Sequence, residues 1–288
     1  LVIDNKRIHP VRVSHDFSCS SDVDVVFICV KSQDTTRVAE MMKPYVKSSS
    51  MVISLQNGLR NTEMMQRVIS APILSGVVLF NAVCMEIGVV YRTMRGGVLI
   101  EYRKEYEDTL RHIVRLFRKA GLAVRLVDDI QSACMSKLVL NLQIAVTALT
   151  GQTIYESLKN KKSRRIIIET VKEGIMVAER AGIRMSRLPV IDPRRMIRVL
   201  TISGSFSLLF TRLFLKMKKN ARNSMWQSLS KGRPTEIDYI NGEIVALAEK
   251  NNITAPINMR LVELVKEAER EQKPPNFTPE ELQRLLKI

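Results

Sequence analysis

Glycine is almost missing from the first quarter of this chain: Gly58 is the only one before Gly76. That excludes a G-x-G-x-x-G turn from the opening strand–helix pattern, where a nucleotide-binding sheet ordinarily seats a pyrophosphate. Cysteine is sparse too. Cys19, Cys29, Cys84 and Cys134 lie far apart with no C-x-x-C pair, which excludes a zinc ribbon and a disulfide framework and fits a reducing cytoplasm. His9, His15 and His112 share no ligand spacing, so no metal site is expected. Aromatic residues make up 5% of the chain, and none stud a basic strand in the manner of an RNA-binding sheet. No uncharged apolar run reaches the roughly 18 residues of a membrane span. The longest candidate, 138 to 149, has the length of a buried helix, and no signal-peptide pattern opens the chain.

What is present is the composition of an ordinary globular protein. The 288 residues are 45% hydrophobic and 26% charged, enough for two domains with sizeable cores. The one unusual number is a formal net charge of +16. Its short clusters, KNKKSRR (159 to 165), Arg194-Arg195 and KMKK (216 to 219), accompany no nucleic-acid-binding motif. A solvated basic surface is the preferred reading over an acidic partner, and neither a nucleic acid nor a membrane is expected.

The first half alternates strand and helix signals. VDVVFICV (23 to 30) is a near-continuous apolar run, as in a strand buried on both faces. A helix over 35 to 46, the strand MVISLQNG (51 to 58) and a short helix over 61 to 68 follow, a βαβ rhythm that predicts a parallel sheet. The segments 72 to 83, 88 to 93 and 96 to 102 read as an antiparallel meander, followed by a helix over 106 to 120 and a strand. From about Ile130 the pattern is helical almost to the end. SKLVLNLQIAVTALTG (136 to 151) is apolar nearly all round, the mark of a helix buried on every side. Further helices are expected over 163 to 181, 192 to 214, 235 to 250 and 256 to 271, with a capped tail helix after KPPNF. The expected domains are 1 to 128, an incomplete α/β Rossmann-like domain, and 129 to 288, an all-α domain. Leu1 stands in mid-pattern, in a segment resembling a hairpin already under way. An opening segment on the order of 40 to 50 residues is therefore expected before it, the alternative being a naturally shortened protein.

Three constellations could carry chemistry. Lys137 and Asn141 are four apart, on one face of the apolar helix. An ammonium there is costly unless it is paired or lines a site, although a snorkelling lysine is the common alternative. Lys31 in VKSQDT and Asn57 in SLQNG fall at carboxyl ends of parallel strands, where open sheets bind ligands. Ser224 and Glu236 flank a loop in NSMWQSLSKGRPTEID, and each is also explicable by helix capping. In GRPTEIDYINGEIVALAEKNN, Thr235 and Asp238 read as a capping box opening one amphipathic helix along Ile237, Ile240, Ile244 and Leu247. Glu236 then falls at the margin of its buried face.

Taken together, VKSQDT, SLQNG, KLVLN and NSMWQSLSKGRPTEIDYINGEIVALAEKNNITAPIN resemble the ketopantoate reductase (2-dehydropantoate 2-reductase) family, in order and over essentially the whole chain. The resemblance implies a Rossmann domain followed by a 6-phosphogluconate dehydrogenase-like helical domain. It implies NADPH-dependent reduction of 2-dehydropantoate to pantoate, for pantothenate and coenzyme A synthesis, by a cytoplasmic enzyme for which a homodimer is an expectation. By the same resemblance Lys137 is the general acid and Glu236 orients the site. Asn141, Ser224 and Asn57 hold the ketoacid, while Lys31, Asn57 and Glu236 line the NADPH side. A related 2-ketoacid reductase, or a non-catalytic truncated remnant with a basic binding surface, are the alternatives. The sequence departs from the family pattern in its missing glycine turn. It also has Ala145 where many members carry a second asparagine, and GQTIYE (151 to 156) in place of an Asn-Gly-Glu-like turn.

Overall fold

The computed structural model describes residues 2–4, 6–7, 11–94, 96–189, 192–201 and 222–288. It divides into two compact units, Leu1–Gln131 and Ser132–Ile288.

The first unit is built on a five-stranded sheet. Chain order runs β1 (Val2–Ile3), β2 (Lys6–Arg7), β3 (Val25–Ile28), α1 (Thr35–Met42), β4 (Met51–Ser54), α2 (Asn61–Gln66) and β5 (Ile73–Val78). There follow β6 (Asn81–Glu86), β7 (Val89–Met94), β8 (Val98–Glu101), α3 (Glu107–Lys119) and β9 (Val124–Val127). The sheet order is β3-β4-β5-β8-β9. β3, β4 and β5 are parallel, β8 runs antiparallel to β5, and β9 is parallel to β8. Strand alternation splits the apolar side chains of β4 between two layers. Val52 packs with Val38, Met42 and Met65 of α1 and α2, while Met51 and Ile53 pack with Leu110 and Ile113 of α3. Gly97 lets β8 run close to its neighbour, because a Cβ there would stand 2.5 Å from the Ala123 carbonyl oxygen.

The expected meander over 72 to 102 is corrected. Strand β5 ends at Val78, and β6 and β7 leave the main sheet as a hairpin in a separate sheet of order β2-β1-β7-β6. Strand β8 then returns to pair with β5. Each segment has a strand's composition, and composition does not say which partner supplies its hydrogen bonds.

The second unit is helical throughout its described length. Its elements are α4 (Ile130–Asn141), α5 (Gln143–Thr150), α6 (Ile154–Lys159), α7 (Lys161–Arg180), α8 (Pro193–Thr201), α9 (Ser224–Leu229), α10 (Asn241–Lys250), α11 (Pro256–Arg270) and α12 (Pro279–Leu286). The helix expected over 192 to 214 is described only to Thr201. The rest of it, with the cluster at 216 to 219, lies outside the described residues. Ile130–Thr150 is apolar and long enough to cross a membrane, yet 67% of its most apolar window is buried inside the protein, as in a core helix. It is interrupted at Leu142, which separates α4 from α5. Gly174 of α7 allows the approach there, since a Cβ on it would lie 2.3 Å from a Leu142 methyl carbon. Capping boxes open α6, from Thr153 and Glu156, and α12, from Thr278 and Glu281.

The single helix expected from Thr235 is also corrected. Ile237–Tyr239 is a 3-10 turn, Ile240 breaks the path at φ −120° and ψ −87°, and α10 starts at Asn241. Asp238 makes no capping box with Thr235; it pairs with Lys266 of α11.

Candidate active site

Most of α4 and α5 is sealed in the core, including Met135, Leu138, Val139, Leu142, Ala145 and Val146. A narrow strip of partial exposure runs through Cys134, Lys137, Leu140, Asn141 and Ile144. The helix is thus buried on every side but one, and Lys137 and Asn141 share that side. Ser136, fully buried behind the strip, has its hydroxyl 2.9 Å from the Ser132 carbonyl oxygen and 2.8 Å from that of Ser186, which fixes the helix against the following segment.

Burial lowers the Lys137 ammonium from an ordinary 10.5 to about 8, and Cys134 and Glu236 hold it up against a further fall. Of those two, a carboxylate carries its charge at neutral pH and an ordinary thiol does not. Glu236 is therefore the counter-charge that lets a desolvated lysine stay protonated near pH 7. The Asn141 amide has no hydrogen-bond partner among the described residues, so its donors and acceptor are available beside that ammonium.

Glu236 is held from both sides. Before it, the Thr235 backbone N–H and hydroxyl both donate to Glu269 Oε1 at 2.7 Å, and the Thr235 hydroxyl oxygen accepts from the Ile237 N–H at 3.2 Å. After it, Asp238 pairs with Lys266, which also reaches Glu269 Oε2 at 3.1 Å. The half-buried Glu236 thus projects from a turn anchored to one face of α11. Thr235 is not the N-cap expected of it: that position falls to Glu236, and the Thr235 hydroxyl takes only the Ile237 N–H of the 3-10 turn.

The interruption at Leu142 is propped by a second buried chain. Asn241 Nδ2 donates to the Leu142 carbonyl at 3.2 Å and to Asn258 Oδ1 at 2.9 Å. Asn258 Nδ2 donates to Glu173 Oε1 at 2.8 Å. Glu173 also accepts the N–H groups of Ile257 and Asn258 at 3.0 and 2.7 Å, a carboxylate closing the first turn of α11. Sequence reasoning missed Glu269, Glu173, Asn241 and Asn258. The only signal is that Asn258 sits at an expected helix start, a position equally explained by capping, whereas Asn241 falls inside the helix expected over 235 to 250.

Ser224 is the first residue of α9 and is exposed, and the capping role falls to Asn223, whose Oδ1 accepts from Trp226 N–H at 2.7 Å. Asn223 Nδ2 also donates to the Ile144 carbonyl at 3.1 Å and the Thr147 hydroxyl at 2.5 Å. These bonds bring the start of α9 to α5, and the Ser224 hydroxyl is unbonded among the described residues. Ala145 is fully buried, so an asparagine there would sit in the core of this chain.

In the first unit, Lys31 stands directly before the 3-10 turn that follows β3, without a side-chain capping bond, and Asn57 follows β4. Their loops are joined by a buried polar network. Ser32 Oγ donates to the Asn57 carbonyl at 2.8 Å, and Asn61 Nδ2 to Ser32 Oγ at 3.2 Å. Thr35 Oγ1 donates to Asn61 Oδ1 at 2.9 Å and accepts from Gln56 Nε2 at 2.7 Å. Gly58, at φ +92°, turns the chain directly after Asn57. The network fixes the strand ends and leaves the Asn57 amide without a partner among the described residues. Ser32, Thr35 and Gln56 lie within VKSQDT and SLQNG and Asn61 just beyond, but the motifs alone give none of them a role.

Two family models match the chain: "Ketopantoate reductase PanE/ApbA" over residues 2–105 and "Ketopantoate reductase PanE/ApbA C terminal" over 129–269. A protein of Pyrococcus horikoshii named 2-dehydropantoate 2-reductase is 30% identical over 248 residues, 85% of this chain and 76% of the relative. One of the same name from Halobacterium salinarum is 28% identical over 268 residues, 92% and 82% of the two chains. Among solved structures, a ketopantoate reductase from Ralstonia eutropha JMP134 is 25% identical with a TM-score of 0.78, over 94% of this chain and 84% of that one. D-mandelate dehydrogenase, solved with NADH and anilino(oxo)acetate, shares the fold at 20% identity and a TM-score of 0.71, over 87% and 77%. A sheet unit with ordered strand-end loops, a helical unit presenting a desolvated lysine, and relatives along both units lead to one conclusion: the chain belongs to the ketopantoate reductase family.

Proposed function

We propose that this chain reduces the ketone of 2-dehydropantoate to pantoate at the expense of NADPH. The observation that carries the reading is Lys137, an ammonium lowered to about 8 beside the charge of Glu236 and on one helix face with the unbonded Asn141 amide. Reduction of a ketone requires a hydride at carbon and a proton at oxygen. The nicotinamide supplies the hydride; the protein must supply the proton. At pH 7 a lysine titrating near 8 is about nine-tenths protonated and far more acidic than an ordinary lysine, which suits it to general-acid catalysis. Its N–H donates to the ketone oxygen, stabilises the developing alkoxide and passes its proton there. Glu236 keeps the amine charged until that transfer. Asn141 offers an amide to a substrate hydroxyl or carboxylate, and Ser224 a hydroxyl from the start of α9.

The strand-end loops of the first unit fit the nicotinamide-ribose end of a dinucleotide. Lys31 and Asn57 stand where parallel strands end, on loops tied together by the hydrogen bonds among Ser32, Thr35, Gln56 and Asn61. No glycine-rich turn for the pyrophosphate occurs within this sequence, so Lys31 and Asn57 are the residues of the first unit assigned to the cofactor.

A second reading, reduction of another 2-ketoacid, is favoured by the fully buried Ala145, which leaves the strip with a single asparagine. Steady-state rates with NADPH against 2-dehydropantoate, pyruvate and phenylglyoxylate separate the two. The first reading expects 2-dehydropantoate to show the highest kcat/KM, and a higher value for either other acid would replace it with the second. No NADPH oxidation with any ketoacid would overturn both.

A further inference from the structure

The basic charge of this chain is not used by the chemistry above, and part of it is gathered in a concave form in the first unit. Helix α3 and strand β9, the edge of the five-stranded sheet, border a groove of about 730 Å³. That lies within the range of small-molecule sites, about 300–1,000 Å³. Val114, Val124 and Leu126 line it with apolar surface. Arg115 and Arg118, three apart on α3, and Arg125 from β9 bring three guanidinium groups to the same groove. All three are exposed, and none has an ion pair or hydrogen bond among the described residues. The fourth arginine, Arg111, is neutralised by Glu107 at 2.6 Å, which leaves Asp128 as the one carboxylate facing the other three.

Three guanidinium groups facing a single carboxylate leave the groove with an excess of positive charge. An anion entering it would offset that excess. All three are arginines, whose planar forks match phosphate oxygens in a bidentate way and whose charge survives at any pH of interest. An extended single-stranded nucleic acid would call for stacking aromatics along a basic track, and the lining holds one aromatic residue, Tyr102. We propose that the α3–β9 groove binds a small organic phosphate, its phosphoryl group on Arg115, Arg118 and Arg125 and its apolar body over Val114, Val124 and Leu126.

The test is calorimetric titration of the chain with phenyl phosphate and with inorganic phosphate, with neither ketoacid nor dinucleotide present. The expected result is saturable one-to-one binding, tighter for phenyl phosphate, and weakened at least about tenfold in Arg115→Ala/Arg125→Ala. The substituted side chains are exposed, and circular dichroism checks that the fold is retained. A control pair on the tail helix, Arg284→Ala/Lys287→Ala, should leave the affinity within about twofold. Absence of saturable binding would overturn the proposal, as would an affinity unchanged by the groove substitutions or lowered equally by the control pair. A single-stranded oligonucleotide binding through the same arginines about tenfold tighter than phenyl phosphate would also overturn it, in favour of a polymer surface.

Discussion

Thr235 gives both its backbone N–H and its hydroxyl to one oxygen of Glu269, each at 2.7 Å. Two charge-assisted hydrogen bonds to a single residue fix the backbone immediately before Glu236, and the Lys266–Asp238 pair fixes it immediately after. The carboxylate beside Lys137 is thereby placed from a helix that does not itself carry the chemistry.

Glu269 is accordingly expected to act as a positioning residue. Glu269→Ala should lower kcat about tenfold, the size of one lost charged hydrogen bond of about 1.5–3 kcal/mol, with little change in the KM for NADPH. Glu269→Gln keeps an acceptor for Thr235 and should recover most of that loss. Steady-state kinetics checks both, alongside thermal unfolding. A purely structural role would move the melting temperature and leave kcat of the folded enzyme unchanged.

The pH dependence follows from Lys137. With the amine lowered from 10.5 to about 8, the proton donor is present below pH 8 and lost as pH rises through it. The rate of ketone reduction should then fall on a basic limb with an apparent pKa near 8. Because Glu236 raises this pKa, Glu236→Gln should move the limb to lower pH. The stability linkage has its own sign: folding disfavours the charged amine, so Lys137 adds stability as pH rises from about 8 toward 10.5. A limb that stays in place in Glu236→Gln would remove the carboxylate from the account.

The buried chain behind the helix break should show itself in stability. Glu173 accepts two backbone N–H groups and the Asn258 amide. Glu173→Ala strands both backbone N–H groups, leaves the Asn258 amide only the Thr170 carbonyl, and is expected to cost about 3–5 kcal/mol, as for a broken buried charged network. Denaturant unfolding measures it. A loss under about 1 kcal/mol would show that water or a neighbouring group replaces the carboxylate.

Much of this arrangement was legible in the residues, and the parts that were not share a cause. The strand within the apolar run at 23 to 30 and the helix ending at Asn251 follow from local pattern. The burial on both faces that the run predicts does not: β3 is an edge of the five-stranded sheet, Val25 to Phe27 are half-buried and Cys29 is exposed. Nor does the interruption at Leu142, because nothing in LVLNLQIAV breaks a helix. The Asn241 side chain from α10 caps the freed carbonyl there. Thr235 and Asp238 had capping-box spacing, but each finds a partner on α11, about 30 residues later in sequence. The β6–β7 hairpin had strand composition, and its departure from the main sheet depends on pairing with β1. Local propensity was readable; long-range hydrogen bonds that override it were not.

The central claim is that Lys137 delivers the proton to the ketone, and one measurement bears on it most directly. Single-turnover oxidation of bound NADPH by 2-dehydropantoate should be compared for the natural chain and Lys137→Ala, with NADPH affinity measured separately by fluorescence. The account predicts a rate lowered by about 10²–10⁴-fold, the range for loss of a positioned general acid, at unchanged NADPH affinity. A variant that turns over within a few-fold of the natural chain would contradict it.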